Sequence, residues 1–300
     1  MDFLSREQFH SIAGEGALVP VYRELPADLE TPVSVYLKLR GQGASFLLES
    51  VEKAEQIGRY SFLGIDPQRQ IRSRGREVTI LDNGNSERRQ LADGQDPLHV
   101  VAEEVARYQP VAPLHKIVTG LPRFYGGAVG YMGYDLVRFF ERLPETSVDQ
   151  RGLPDMHLLI TDTLVAFDHV QHRVLLFANA HVPEGSDLDA AYDEAVGRLD
   201  ALEARMRGPL PPQPEPPGQA GGELTPNMPR AQYEAAVRQA KEYIAAGDIF
   251  QTVLSQRITR PTGADPFTIY RALRRVNPSP YMFFLDLGGD PAVTLIGSSP

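Results

Sequence analysis

Two of the seven histidines, His169 and His172, are the closest candidates in the sequence for a shared metal ion. Histidine is a common zinc ligand, but a structural zinc site takes four ligands, and no further ligand pattern surrounds this pair. The chain contains no cysteine, which excludes a thiolate zinc site, a cysteine nucleophile and a disulfide framework. The two histidines are therefore interpreted as flanking a surface hairpin turn.

Other catalytic motifs are missing from the sequence. A phosphate-binding loop requires glycines followed by Lys-Ser/Thr, or G-x-G-x-x-G after a strand, and a serine hydrolase of the common type carries G-x-S-x-G. The glycines at 126, 127, 130 and 133 match neither spacing. They are interpreted as positions of close backbone packing.

The elements that position any site belong to an ordinary globular protein. Of 300 residues, 42% are hydrophobic and 23% are charged, which excludes a disordered or fibrous chain. The formal charge of -9 predicts no nucleic-acid partner and no attraction to anionic membranes. Since no apolar run approaches about 18 residues and the N-terminus does not resemble a signal peptide, we expect no membrane span and a cytoplasmic location.

A proline- and glycine-rich stretch divides the chain. Residues 208–222 contain six prolines and four glycines, a density that no helix or central strand tolerates. The sequence thus predicts an N-terminal domain at 1–207, a linker or long loop at 208–222, and at 223–300 the start of a further domain.

Periodicity and turn signals predict an α+β fold with largely antiparallel sheets packed with helices. Helices are predicted at 187–206 after a Ser186 cap, from Asp96-Pro97 onward, at 233–247 and at about 266–276. Strands are predicted at 45–49, 59–63, 70–73, 77–81, 158–167, 173–179, 249–258, 281–287 and 293–296.

Three segments resemble the chorismate-utilising enzymes, and among them the anthranilate synthase component I branch. They are LLES at 47–50 with GRYSFLG at 58–64, GDIFQTVLSQR at 247–257, and NPSPYMFFL at 277–285. The resemblance extends over essentially the whole chain. It implies that residues 1–207 form an N-terminal regulatory-type domain and that residues 223–300 begin a chorismate-binding catalytic domain, which the sequence leaves incomplete.

The resemblance implies a regulatory site for L-tryptophan, the end product of the pathway. The positions that match it are Ser50, Pro280, Tyr281 and Met282, with Glu49 and Asn277 as weaker candidates. A free amino acid needs acceptors for its ammonium group, donors for its carboxylate and an apolar slot for its side chain. Apart from the resemblance, Glu49 and Ser50 are interpreted as the end of a strand, and the residues from Asn277 onward as a rigid turn that enters a buried strand.

Gln251 indicates the type of reaction within this family. Relatives that add water to chorismate carry a lysine base at this position, and a glutamine accompanies those that add ammonia. The implied reaction adds ammonia at C2 of chorismate, expels the 4-hydroxyl and eliminates pyruvate to give anthranilate, the first step of tryptophan biosynthesis. A rival is aminodeoxychorismate synthase component I, which shares Gln251; a second is a tryptophan-binding module without catalysis.

The resemblance also implies Mg²⁺, with no ligands in this chain and all of them expected beyond Pro300 together with the general acid. The expected partners are chorismate, L-tryptophan as inhibitor, and a glutamine amidotransferase subunit that supplies ammonia. The enzyme is expected to form a homo-oligomer of heterodimers. Because the general acid and metal site would be missing, the chain by itself is expected to be inactive.

Overall fold

The computed structural model describes residues 4–14, 17–41, 43–51, 58–110, 120–144, 148–214, 221–289 and 292–299. The described helices are α1 (Arg6–Ile12), α2 (Pro32–Leu39), α3 (Pro97–Ala106), α4 (Leu188–Met206), α5 (Arg230–Ala246) and α6 (Pro266–Val276), with a 3-10 helix at Tyr134–Phe139. The described strands are β1 (Ala17–Pro26), β2 (Ser45–Glu49), β3 (Tyr60–Ile65), β4 (Arg69–Arg74), β5 (Glu77–Asp82), β6 (Asn85–Gln90), β7 (Gln109–Pro110), β8 (Gly127–Met132), β9 (Met156–Thr161), β10 (Thr163–Asp168), β11 (Arg173–Val182), β12 (Thr225–Pro226), β13 (Ile258–Thr259), β14 (Tyr281–Asp286) and β15 (Thr294–Ser299).

The chain divides into two compact units, of which the first comprises residues 1–212 and 270–300 and the second residues 213–269. The division at 212/213 falls within the linker predicted at 208–222. Residues 270–300, which the sequence placed with the later part of the chain, lie in the first unit because β14 pairs with β2. That pairing depends on main-chain hydrogen bonds, which leave no signal in the residue pattern.

Two sheets form the first unit. The larger has the order β15-β14-β2-β3-β10-β11-β1-β7, and its pairings are antiparallel except for β1 with β7. The smaller has the antiparallel order β6-β5-β4-β9-β8. Helix α4 packs on β11 and buries an apolar stripe along one face, which comprises Tyr192, Leu199, Leu202 and Met206. The predicted α+β class is confirmed.

Helix ends follow capping chemistry. The Asp96 side chain accepts hydrogen bonds from the first-turn backbone of α3, with Pro97 next, as predicted. The N-cap of α4 is Asp187 and not Ser186, one residue later than predicted, because the Asp187 carboxylate accepts from Asp189 and Ala190. At the C-terminal end of α5, Gly247 has a φ of 84°, the left-handed conformation that favours glycine.

Two predicted strands were wrong in extent. The single strand predicted at 158–167 is divided at Asp162 into β9 and β10, which belong to different sheets. Arg198 binds the Asp162 carboxylate at 2.7 Å, and Asn179 donates its N–H to the Asp162 carbonyl, so this residue marks the crossing between sheets.

The strand predicted at 249–258 is the second error, because only Ile258–Thr259 is extended and paired there. Phe250 and Val253 are 94% and 82% exposed. Within the second unit as described, residues 249–257 have no strand partner, and an unpaired strand is not stable in water.

Five of the described strands were not predicted, and two of them, β7 and β12, are only two residues long. In β1, Pro20 and the Arg23-Glu24 pair interrupt the apolar alternation, yet this strand pairs with β11 over its whole length. Strand β6 is almost wholly exposed and polar, and β8 is rich in glycine. Sequence patterns report burial and alternation, so a strand with little side-chain burial, or one whose alternation is interrupted, leaves a weak signal.

The glycines of β8 and its flank confirm the predicted backbone packing. A Cβ on Gly130 would lie 2.0 Å from the His157 carbonyl oxygen of the neighbouring β9, and one on Gly133 would lie 2.9 Å from the Asp155 carbonyl oxygen. No side chain fits at the first distance, so glycine there permits β8 to approach β9.

Candidate functional site

The two predicted halves of the amino-acid site lie on neighbouring strands. In the antiparallel register of β2 with β14, Glu49 lies opposite Met282. Beyond the end of β2, the backbone N–H of Val51 donates to the Ser279 carbonyl at 3.1 Å. These bonds bring Glu49 and Ser50 beside the segment 279–282, although more than 220 residues separate them in the chain.

The six predicted residues at this place differ in burial. Glu49 and Met282 are only 4% and 1% exposed, and Ser50 and Pro280 are half-buried. Tyr281 is exposed. Asn277 is exposed as well, and its carbonyl accepts a 2.7 Å hydrogen bond from Ser298 Oγ of β15. The six predicted residues at the strand end therefore include buried, half-buried and exposed side chains.

Two hydroxyl groups at the strand end have no partner. The Oγ atoms of Ser50 and Ser279 are both buried, and neither has a hydrogen bond among the residues that the structure describes. A buried hydroxyl without a hydrogen bond lowers the stability of the folded chain. Each of the two is therefore a candidate hydrogen-bonding group for a ligand. Ser279 was missed in the sequence, where it stands between two prolines and reads as part of a rigid turn.

Helix α6 supplies two further groups that contact the site. The Tyr270 hydroxyl donates a 2.6 Å hydrogen bond to Oε2 of Glu49, and Arg274 Nε lies 3.1 Å from the same oxygen as an ion pair. Burial raises the pKa of the Glu49 carboxyl above its ordinary value, while the Tyr270 hydrogen bond and the Arg274 charge partly oppose the rise. Burial, followed by the charge of Glu49, also raises the pKa of Tyr270.

An apolar cavity of about 520 Å³ is lined by Leu48, whose side chain lies on the opposite face of β2 from that of the next residue, Glu49. Phe283, which lies opposite Leu48 in the β2–β14 register, also lines it. Two further aromatic rings of the lining, Phe62 and Phe124, meet edge to face with centroids 5.2 Å apart. A concave aromatic wall of this kind suits a flat apolar group. The remaining lining residues are Ala128, Val129, Gly130, Tyr131, Leu285 and Leu295.

Gln251 is not part of this group. It lies in the second unit, exposed, in the irregular segment between α5 and β13. Its side chain therefore has no described geometry that assigns it a chemical role. The surrounding residues 249–257 need a strand neighbour before Gln251 is held in one orientation.

The histidine pair lies where the sequence predicted, in the turn from β10 to β11. His169 Nε2 lies 2.8 Å from Ser61 Oγ, and His172 has a φ of 52°, as a tight turn requires. Across the described part of the chain, no three His, Cys, Asp or Glu side chains gather where they could hold a metal ion. None of the described helices has the length and apolarity to span a bilayer.

The sequence profile of the chorismate binding enzyme family matches residues 43–300, which include both strands of this site. The chain belongs to the chorismate-binding enzymes. It is 42% identical, over 94% of its length, to anthranilate synthase component 1 of Thermus thermophilus, and 35% identical, over its full length, to that of Acetivibrio thermocellus.

Among solved structures, anthranilate synthase component I from Streptococcus pneumoniae TIGR4 superposes on 92% of the chain with a TM-score of 0.60 and 27% identity. The chain spans 55% of the Thermus protein, 59% of the Acetivibrio protein and 57% of the Streptococcus chain. The comparisons therefore match this chain to somewhat more than half of each relative.

Proposed function

We propose that this chain is part of an anthranilate synthase component I, a carbon-oxygen lyase of tryptophan biosynthesis. The reaction takes chorismate and ammonia to anthranilate and pyruvate, with one water lost. The observation that carries the proposal is the β2–β14 pairing, which joins the LLES and NPSPYMFFL segments at one strand end. The identity to two proteins of that name over at least 94% of the chain supports it.

The chemistry proposed for Gln251 is orientation of the nucleophile. Ammonia carries its lone pair already, so attack at C2 of chorismate needs a hydrogen-bonding amide more than a base. Departure of the 4-hydroxyl as water needs a general acid, which we assign to the part of the relatives that this chain does not span.

Mg²⁺ belongs to the same proposal, where it would bind the carboxylate of chorismate and stabilise charge on the ring. The described residues do not fit it, because no acidic or histidine cluster gathers among them. The ligands of the ion are therefore assigned to the part of the longer relatives that this chain does not span.

The proposed partner is a glutamine amidotransferase subunit. Release of ammonia from glutamine proceeds by a thiolate nucleophile in such subunits, and this chain has no cysteine. The assembly would be a homo-oligomer of heterodimers in the cytoplasm, where chorismate and glutamine are available.

The proposed regulatory ligand is L-tryptophan, bound at the β2–β14 strand end. Glu49 offers a carboxylate for the ammonium group, and the hydroxyls of Ser50 and Ser279 are unpaired donors for the carboxylate. Pro280 and Met282 add apolar surface, and exposed Tyr281 can close over an indole. Inhibition would follow if the bound state disfavours the arrangement that receives chorismate.

Calorimetric titration of L-tryptophan into the purified chain tests the site, with Ser50→Ala as the variant. We expect saturable binding to the wild-type chain that is weakened in Ser50→Ala. L-leucine serves as the ligand control, because it keeps the ammonium and carboxylate groups and lacks the indole. Equal binding of both amino acids would contradict the proposed apolar slot.

Activity is tested with a chimera that joins residues 1–300 to the part of the Thermus relative that this chain does not span. With chorismate, Mg²⁺ and ammonia, we expect anthranilate fluorescence from the chimera and none from residues 1–300 by themselves. Formation of 4-amino-4-deoxychorismate would instead support aminodeoxychorismate synthase component I.

A second candidate is a tryptophan-binding module without catalysis. The gathered strand-end residues favour it, as both halves of the site lie in the first unit of this chain. Tryptophan binding combined with an inactive chimera would support this function over the lyase.

A further inference from the structure

Among the described residues, the Glu49 carboxylate is held by helix α6 and not by β14, the strand that pairs with β2 at this position. Tyr270 is fully buried, and its hydroxyl reaches Oε2 of Glu49 at 2.6 Å. Arg274, one helical turn later on the same face, places Nε 3.1 Å from that oxygen. Both contacts fall on Oε2, which leaves Oε1 with capacity for a further donor.

The two helix contacts differ in quality. The Tyr270 hydrogen bond is short and lies among packed rings, with Phe284 of β14 edge to face at 5.7 Å. Arg274 Nε is buried and lies at ion-pair distance without the geometry of a hydrogen bond. Tyr270 therefore fixes the carboxylate, while Arg274 supplies charge that keeps it ionised in a buried place.

We propose that Tyr270 and Arg274 are positioning residues of the amino-acid site, which hold the ionised Glu49 carboxylate where Oε1 accepts the ammonium group of the ligand. This inference rests on the proposed tryptophan site. Neither residue carries the ligand itself, and both act through Glu49. The sequence offered no sign of this role, since Tyr270 and Arg274 read as ordinary positions of a predicted helix.

The experiment compares tryptophan affinity by calorimetry in four full-length variants of this chain. We expect Tyr270→Phe to weaken tryptophan binding about fivefold, because that is the change in affinity produced by losing one net hydrogen bond. We expect Arg274→Gln to weaken it about tenfold. Arg274→Lys keeps the charge and should restore affinity to within about threefold of wild type. Arg275→Gln is the matched control, because this neighbouring arginine is exposed and should leave affinity unchanged.

The pH profile separates positioning from mere stability. Loss of either partner raises the pKa of Glu49 further, so the carboxylate becomes protonated, and ammonium binding is lost, at a higher pH than in wild type. The charge of Arg274 also lowers the pKa of His169, which burial lowers most. The double variant His169→Gln with Arg274→Gln therefore tests whether His169 causes the acid limb, and we expect it to keep the displaced limb. A structural role would lower the melting temperature and leave the acid limb in place.

The outcomes are distinguishable. If wild type binds tryptophan and the two variants bind equally well with an unmoved acid limb, the positioning role is overturned while the proposed site stands. If a folded wild-type chain binds no tryptophan, the proposed site fails and the inference falls with it. Tyr270→Phe preserves the ring volume, so it remains an informative variant if Arg274→Gln does not fold.

Discussion

Ser50→Ala is expected to stabilise the ligand-free chain while it weakens tryptophan binding. The Ser50 Oγ is buried without a hydrogen-bond partner among the described residues. Leaving a buried polar group unpaired costs about 1–3 kcal/mol, and this cost disappears with the hydroxyl. Because the Ser50 residue is only half-buried, we expect the lower end, a gain of about 1 kcal/mol in the free energy of unfolding.

The bound state responds in the opposite direction. If the same hydroxyl donates to the ligand carboxylate, its loss removes one net hydrogen bond of about 1 kcal/mol, or about fivefold in affinity. Urea denaturation followed by circular dichroism gives the first quantity, and calorimetric titration gives the second. General damage to the fold would lower both the free energy of unfolding and the tryptophan affinity. A rise in the first with a fall in the second therefore indicates a specific role for the hydroxyl.

Ser45→Ala is the matched control on the same strand. Ser45 is also buried, but its hydroxyl lies 2.8 Å from the Tyr36 hydroxyl. Removing a paired hydroxyl should cost about 1–2 kcal/mol of stability and leave tryptophan affinity unchanged. The reasoning is refuted if Ser50→Ala destabilises the ligand-free chain as much as Ser45→Ala does, because Oγ would then have a partner within the fold.

Three further predictions concern burial and charge. Met282→Ala should destabilise the chain by about 2–4 kcal/mol in urea denaturation, because it empties a fully buried position, whereas Ala at exposed Met132 should cost under about 0.5 kcal/mol. Burial, helped by the Arg72 charge, lowers the pKa of His157 to about 3, so protonation favours the unfolded chain below its ordinary pKa of 6.5. Stability should thus fall by about 2 kcal/mol from pH 7 to pH 5, and His157→Gln should flatten this slope while His172→Asn retains it. Burial by itself would raise the pKa of Asp168. Hydrogen bonds from Arg59 and from the Gln171 N–H, together with the charges of Arg59 and Arg173, outweigh burial and hold this pKa below its usual value. The stabilisation from ionised Asp168 is complete above the unfolded pKa of about 3.9 and is lost as pH falls through the folded value. Asp168→Asn should therefore cost about 2–3 kcal/mol at pH 7 and progressively less as the pH is lowered through the folded pKa, as measured by thermal melting.

Local chemistry predicted much of the fold. The Asp96-Pro97 start of α3, the Gly247 end of α5 and the apolar stripe of α4 depend on residues within one or two turns of each other. Such signals are visible in a single sequence because the capping bonds and the helix period are local. The hairpin turn between β10 and β11 belongs to the same class.

Long-range pairing accounts for the errors. The division of 158–167 at Asp162 depends on Arg198 and Asn179, which lie 36 and 17 residues away in the chain. The segment 249–257 has strand composition, yet strand formation requires a neighbour whose backbone accepts its hydrogen bonds. Composition reports what a segment prefers and not whether a partner is present.

For the candidate site, the sequence by itself determined the family resemblance and the α+β class, and it predicted six residues at the strand end. Only the tertiary structure decided that β14 pairs with β2, which unites those residues in one unit. It alone also assigned the buried hydroxyl of Ser279 and the two α6 side chains that hold Glu49. The physical reason is that hydrogen-bond satisfaction and burial are properties of atoms brought together from distant parts of the chain, and residue types in order do not contain them.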